Sequence, residues 1–429
     1  MNTSPKFVSL LLAAGLSLSA ASAQSVTTDP VGFNKVTCLG SSDSIIGLPL
    51  LRPAEFVGSV QSISGNIVTI SGSPNWTNNQ FVYVSGTQRN TYLALIGSKL
   101  TALAGVLTGT AGSQTISGSG TAFLSQVSVG DGLVFNSGYY VVTAISSDNA
   151  LVVNIPVASS ISGVSASVSK SPKEGSFYTV TANSANTLTL DLAGDSLSGV
   201  AASTKITLIP QWTLSAIFPA TNAGISFTPS TSTRSLNTQI LIPNYSGSGI
   251  NLSASQIFYF MNNGWRLAGA DPSLDYGDTV LPPNGYITVR NSGSPTSELT
   301  VTGSVLMEKS SIPLATQGAV FQDTPLALTR PIDVSLNQTL LFEGGVFVAT
   351  TSTRSIQDQV LVYDNSLAGI NKSASAIYFY MNNAWRLAGG DPSIDYGGVK
   401  IPAGSGIVVR KAPSGNGVTN FWANPPTYN

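Results

Sequence analysis

The sequence predicts an all-β, multidomain fold of antiparallel sandwiches or small barrels, ending in a C-terminal tandem duplication. Three observations carry this expectation. Short runs of Val, Ile, Thr, Tyr and Phe recur between clusters of Gly, Ser, Asn and Pro, the pattern of strands separated by turns. Helical periodicity is nearly absent, so the crossover helices of a parallel sheet have no source. Residues 231–277 laid over 351–397 agree at about 29 of 47 positions, at a constant offset of 120 residues, which marks two copies of one unit.

In chain order, Lys6 is followed by an apolar run from Phe7 to about Leu18 and by the small residues Ala21-Ser22-Ala23. This is the pattern of a secretory signal peptide over residues 1–23, with cleavage after Ala23. The protein is therefore expected to be secreted, to the periplasm, the cell surface or the exterior. No later stretch holds the ~18 or more consecutive apolar residues of a membrane-crossing helix, so no transmembrane helix is expected.

Residues 24–98 and 172–215 read as two parts of an N-terminal β domain, with an inserted β module over 99–171. The insert is richer in Gly, Ala and Ser, and the strand-like flanks Tyr92–Ser98 and Pro172–Val180 place it at a hairpin tip, where insertions are tolerated. Gly65-Asn66 predicts one tight hairpin and Asn262-Asn263-Gly264 another. The β repeats follow, 216–296 and 297–429. In each, one strand is large and apolar on both alternating sets, Ile257–Met261 and Ile377–Met381, and requires cover on both faces.

Composition excludes several functions. Charged residues make up 9% of the chain against about 25% in a typical soluble protein, and the formal net charge is −1. Loss of Lys6 with the leader would remove one of the 19 basic residues against 20 acidic ones. No run of Lys and Arg exists to release counterions, so nucleic acid is not an expected partner. With no histidine there is no Ser-His-Asp triad and no His-ligated metal. The lone Cys38 cannot form an intrachain disulfide and reads as a small buried apolar residue, with pairing between chains as the alternative.

The richest constellation is the duplicated Trp-Arg hairpin followed by Asp-Pro-Ser-[Leu/Ile]-Asp-Tyr-Gly. One reading is structural. Arg266 would pair with Asp271 or Asp275, Arg386 with Asp391 or Asp395, and Arg234 and Arg354 with carboxylates of their own repeats. The other makes a sugar site of Trp265, Asp271, Asp275 and Tyr276, and a second of Trp385, Asp391, Asp395 and Tyr396, with rings for stacking and carboxylates for hydroxyls. Asp271, Asp275 and Asp278 also offer oxygen ligands for calcium, but Gly398 replaces Asp278 in the second copy and no metal is expected. A glycosidase-type carboxylate pair needs neither His nor Cys, yet no pair stands out.

Several segments carry a resemblance: Asp29-Pro30-Val31-Gly32-Phe33, Leu48–Pro53, Tyr178–Asn183, Thr187–Asp191, Trp212-Thr213-Leu214, the duplicated Trp-Arg element and Arg410-Lys411. Together they resemble a secreted-protein family abundant in Verrucomicrobia, over nearly all of the chain outside 99–171. The insert, with Gly118–Phe123 followed by Val129-Gly130-Asp131, resembles small β modules of phage fibres and bacterial surface proteins. The resemblance implies an exported, β-rich, paralogous protein and transfers no activity, cofactor or catalytic residue.

The resulting expectation is a noncatalytic structural, self-associating or adhesive protein of the envelope or exterior, partnered by copies of itself, extracellular matrix or polysaccharide. The alternative is a carbohydrate-binding protein using the Trp/Asp hairpins, and after it a carboxylate-dependent glycan-active enzyme. Low charge and a positive mean hydropathy favour a surface partly covered by partners.

Overall fold

The computed structural model describes residues 30–82, 91–219, 228–292, 295–415 and 417–428. The expected signal peptide, residues 1–23, lies outside the described residues. The fold is nearly all-β, with antiparallel pairing throughout. Among the described residues no helix is long and apolar enough to cross a membrane.

The chain opens with β1 (Val31–Cys38) and β2 (Asp43–Gly47). It then forms β3 (Phe56–Ser64), β4 (Ile67–Ile70) and β5 (Tyr92–Ile96). Eight strands follow: β6 (Leu100–Ala102), β7 (Val106–Gly109), β8 (Thr115–Ser119), β9 (Gly132–Phe135), β10 (Gly138–Ser147), β11 (Ala150–Val153), β12 (Ile161–Val164) and β13 (Ser167–Ser169). A four-residue helix, α1 (Phe123–Gln126), sits between β8 and β9. The chain returns through β14 (Phe177–Asn183), β15 (Thr187–Asp191) and β16 (Lys205–Pro210).

Strands β3, β4, β5, β14, β15 and β16 close into a six-stranded barrel in the order β14-β15-β4-β3-β16-β5. Its alternating inward residues, among them Val60, Val68, Ile96, Leu188 and Leu208, make its core. Trp76 plugs against Phe56 and Phe81 with ring centroids at 4.9 and 5.0 Å, both edge to face. Strands β6 to β13 form a separate eight-stranded sheet with its own core around Leu107, Phe123, Leu133 and Leu151. The chain leaves for them after β5 and returns at β14, and β5 and β14 pair directly with each other.

The remaining strands form two units. The first adds β17 (Trp212–Thr213), α2 (Leu214–Ile217), β18 (Thr238–Pro243), β19 (Ala254–Met261), β20 (Gly264–Leu267), β21 (Val280–Leu281), β22 (Tyr286–Asn291) and β23 (Ser297–Ser304). The second comprises β24 (Ser310–Ala315), β25 (Gln322–Ala327), β26 (Val334–Ser335), β27 (Gln359–Val362), β28 (Ala376–Met381), β29 (Ala384–Leu387), β30 (Lys400–Ile401), β31 (Gly406–Lys411) and β32 (Thr419–Asn424). Their five-stranded sheets run β2-β22-β18-β19-β20 and β25-β31-β27-β28-β29. Each unit adds two short ladders, β17-β21 with β1-β23 in the first and β26-β30 with β24-β32 in the second.

One departure from the expected segmentation follows from these ladders. Residues 31–47, grouped by sequence with the barrel, pair instead with β23 and β22 of the first unit. The barrel thus lies between β2 and β17 of that unit, and the eight-stranded module lies within the barrel. Strands β22 and β31 are internal to their sheets, each flanked on both sides. The Asn-Asn hairpins form as expected: Asn262 and Asn263, like Asn382 and Asn383, take φ between 51 and 57°, the left-handed pair of a tight hairpin turn.

The two units meet through reciprocal contacts. Gly47 N donates to Gly404 O at 2.9 Å, and Ala327 N donates to Asn284 O at 2.8 Å. Asp43 N donates to Gly369 O at 2.8 Å, and Asp323 N to Gly249 O at 2.9 Å. Each contact of one unit on the other is returned from the equivalent position, the arrangement of an isologous interface within one chain. Ile45, Tyr286, Ala327, Leu361 and Val408 form the apolar layer between the sheets. Cys38 is fully buried in the first unit's core, and burial pushes its thiol up to about 11.

Candidate functional site

Trp265 and Trp385 enter the structure on β20 and β29, the strands that close the two hairpins. Both rings turn inward. Trp265, 1% exposed, packs against Phe260 and Phe218 with centroids at 5.5 and 6.0 Å, and its Nε1 donates to Phe218 O at 3.1 Å. Trp385, 0% exposed, packs against Phe347 at 5.2 Å and Tyr380 at 5.5 Å. Tyr276 and Tyr396 are half-buried and tilt against Phe258 and Tyr378. The stacking platform for sugars considered from sequence is therefore core, with no open Trp face. Burying aromatic side chains of this size contributes about 1.5–3 kcal/mol each, and more with good packing.

The carboxylates of the same elements hold turns. Asp275 Oδ1 accepts from Trp265 N at 2.9 Å and Gly277 N at 3.0 Å. Asp395 Oδ1 accepts from Trp385 N at 3.2 Å and Gly397 N at 2.9 Å. Asp271 accepts from both the backbone N and Oγ of Ser273, and Asp391 does the same with Ser393. These hydrogen bonds to the charged form hold Asp271 and Asp391 below the usual carboxylate range. Among the described residues no group of three or more metal-ligating side chains comes together.

The expected ion pairs of the arginines are corrected by their actual partners. Arg266 Nη1 donates to Leu274 O at 2.8 Å and Arg386 Nη1 to Ile394 O at 2.7 Å, each spanning the Asp-Pro-Ser turn to a backbone carbonyl. Among the described residues neither guanidinium has a carboxylate within 4.0 Å. Arg234 and Arg354 are exposed, in tight turns closed by Ser232–Ser235 and Ser352–Ser355 bridges, and neither forms an ion pair with a described residue.

The strong ion pairs lie elsewhere, at the junction of the units. Arg290 Nε and Nη2 each donate to Asp43 at 2.8 Å, and Asn371 N donates to the same carboxylate at 2.7 Å. Arg410 Nε and Nη2 donate to Asp323 at 2.7 and 3.0 Å, and Asn251 N donates to it at 2.7 Å. Sequence reasoning passed over these six residues as a set. The visible signal was that Arg290 and Asn251 recur as Arg410 and Asn371 at the 120-residue offset, in a chain with few charges to spend.

Concave surface occurs where the barrel meets the units. A cleft of about 830 Å³ is lined by the barrel residues Tyr178, Asp191 and Asp195, by Tyr245 of the first unit, and by Gln317 and Phe421 of the second. None of the Trp/Asp hairpin residues lines it. No protein-family model, no curated protein and no solved structure matches the chain.

Proposed function

We propose that this is a secreted, noncatalytic structural protein that works by self-association or adhesion in the envelope or outside the cell, built on a tandem duplication. The observation that carries the reading is the commitment of its repeated polar residues. Asp275, Asp395, Arg266 and Arg386, the groups most suited to chemistry, are each spent on backbone groups of their own hairpins. The repeated Arg290 and Arg410 are spent on joining the two units. Duplication accounts for the shared strand order and for the returned contacts, since two copies of one unit meeting about a two-fold produce such an interface.

Composition supports association rather than a solitary soluble role. With charges at 9% of residues, little electrostatic repulsion opposes contact between copies. Large apolar residues stand exposed, including Phe33 on β1 at 70% and Leu367, in the loop after β27, at 62%. Negative-stain microscopy of the mature protein at rising concentration tests the reading, with ordered or growing assemblies as the expected result.

A further inference from the structure

We propose that the cleft between the barrel and the two units binds a neutral oligosaccharide. Two large aromatic side chains stand partly open on its lining, Phe421 of β32 at 39% exposure and Tyr245, in the loop after β18, at 37%. Lys173 Nζ lies 4.7 Å from the Phe421 ring centroid and helps fix its orientation. A fixed, open ring is a surface onto which the C–H face of a sugar packs.

The polar lining is matched to hydroxyls. Ser311, Thr324 and Thr419 have hydroxyls with no partner among the described residues, and Asp191 accepts only Ala193 N, on one oxygen. The other two acids are neutralised: Asp195 by Lys173 at 2.5 Å and Asp323 by Arg410 at 2.7 Å. No lysine or arginine is among the described residues that line the cleft. The cations beside the cleft, Lys173 and Arg410, are already paired with these acids, so an anionic ligand would meet no unpaired counter-charge, while a neutral polyol meets unspent hydroxyls, a carboxylate oxygen and a ring. The volume, about 830 Å³, is within the ~300–1,000 Å³ typical of small-molecule sites.

The cleft is not a by-product of the repeated fold. At the position equivalent to Tyr245 the second unit has Asn365, which accepts from Ile45 N at 2.9 Å and donates to Ile45 O at 2.8 Å. That side is closed by the interface between the units, and only the Tyr245 side faces the barrel.

Affinity electrophoresis of the mature protein through hydroxyethyl cellulose, mixed-linkage β-glucan, arabinoxylan and galactomannan tests the proposal. At least one of these neutral polymers should retard the protein, and Phe421→Ala and Asp191→Ala should each weaken retardation about tenfold. Asp191 is exposed, so its variant decides the question should Phe421→Ala lose its fold by circular dichroism. Migration unaffected by all four polymers, or retardation of Asp191→Ala equal to that of the parent, would overturn the site. So would retardation by alginate alone. The outcome is independent of self-association, which sedimentation reads separately.

Discussion

Gly47 and Ala327 occupy equivalent places in the two units and touch each other: a Cβ built on Gly47 would overlap the Cβ of Ala327. Tyr286 and Gly406 are a second such pair, with a Cβ on Gly406 falling 2.6 Å from that of Tyr286. Equivalent positions that meet lie at the two-fold-like axis, where there is room for one side chain and not for two. The sequence difference at each pair is what allows the sheets to close together.

Gly47→Ala should therefore destabilise the protein by about 1–3 kcal/mol, the usual cost of overpacking. Adding Ala327→Gly in the same chain should restore most of the loss. Chemical denaturation of the single and double variants checks this; equal stabilities for Gly47→Ala with and without the second change would contradict it.

The buried ion pairs at the junction predict a larger effect. Arg290→Met leaves Asp43, whose side chain is 4% exposed, without its guanidinium partner, and should cost about 3–5 kcal/mol. Arg410→Met should cost a similar amount through Asp323, also 4% exposed. Removing both members, as in Asp43→Leu with Arg290→Met, should be milder than removing Arg290 alone. A double-mutant cycle on thermal or urea midpoints measures the coupling.

The two tryptophans should respond differently to the same change. Trp265→Phe removes the hydrogen bond to Phe218 O, whereas Trp385 Nε1 is buried and has no partner among the described residues. Trp265→Phe should thus cost about 1 kcal/mol more than Trp385→Phe, while either Trp→Ala change should cost about 3–5 kcal/mol through the cavity it leaves. Urea titrations of the four variants are the check.

Much of this architecture was legible before any coordinates. The Asn-Asn turns announced their hairpins because a left-handed pair favours Asn, and the flanks Tyr92–Ser98 and Pro172–Val180 read as strands that the structure pairs as β5 and β14. The partners of β1 and β2 were not legible. The whole barrel and its insert separate them from the rest of their sheet, and strand pairing at such range leaves no local pattern. The Trp265 strand carried half the answer, since apolar residues on both alternating sets of neighbouring β19 demanded cover. The partner of Arg266 was hidden for another reason: a backbone carbonyl has no letter in the sequence.

Acid should act on this fold in two directions. Burial holds Glu174 above the usual carboxyl range, with Lys309 pulling it back and Glu308 pushing it further. Its folded form binds the proton more readily than the unfolded form, so its contribution is fullest below the ordinary value and is lost as pH rises through the raised one. For Asp195, burial acts upward, but hydrogen bonds from Lys173, Tyr178 and Ser196 outweigh it and keep the group lowered. Its contribution is lost as pH falls. From pH 7 to pH 4 the parent should gain stability relative to Glu174→Gln, which cannot take up that proton; a variant that gains on the parent over this range would refute the assignment.

The central claim, a noncatalytic protein that works by assembling or adhering, is tested most directly by sedimentation velocity of the mature protein over a wide concentration range. The account predicts a weight-average sedimentation coefficient that climbs with concentration and larger species at the highest loading. A single monomer boundary, unchanged across the range, from a protein that also fails to adhere to cell-wall or polysaccharide surfaces would contradict it.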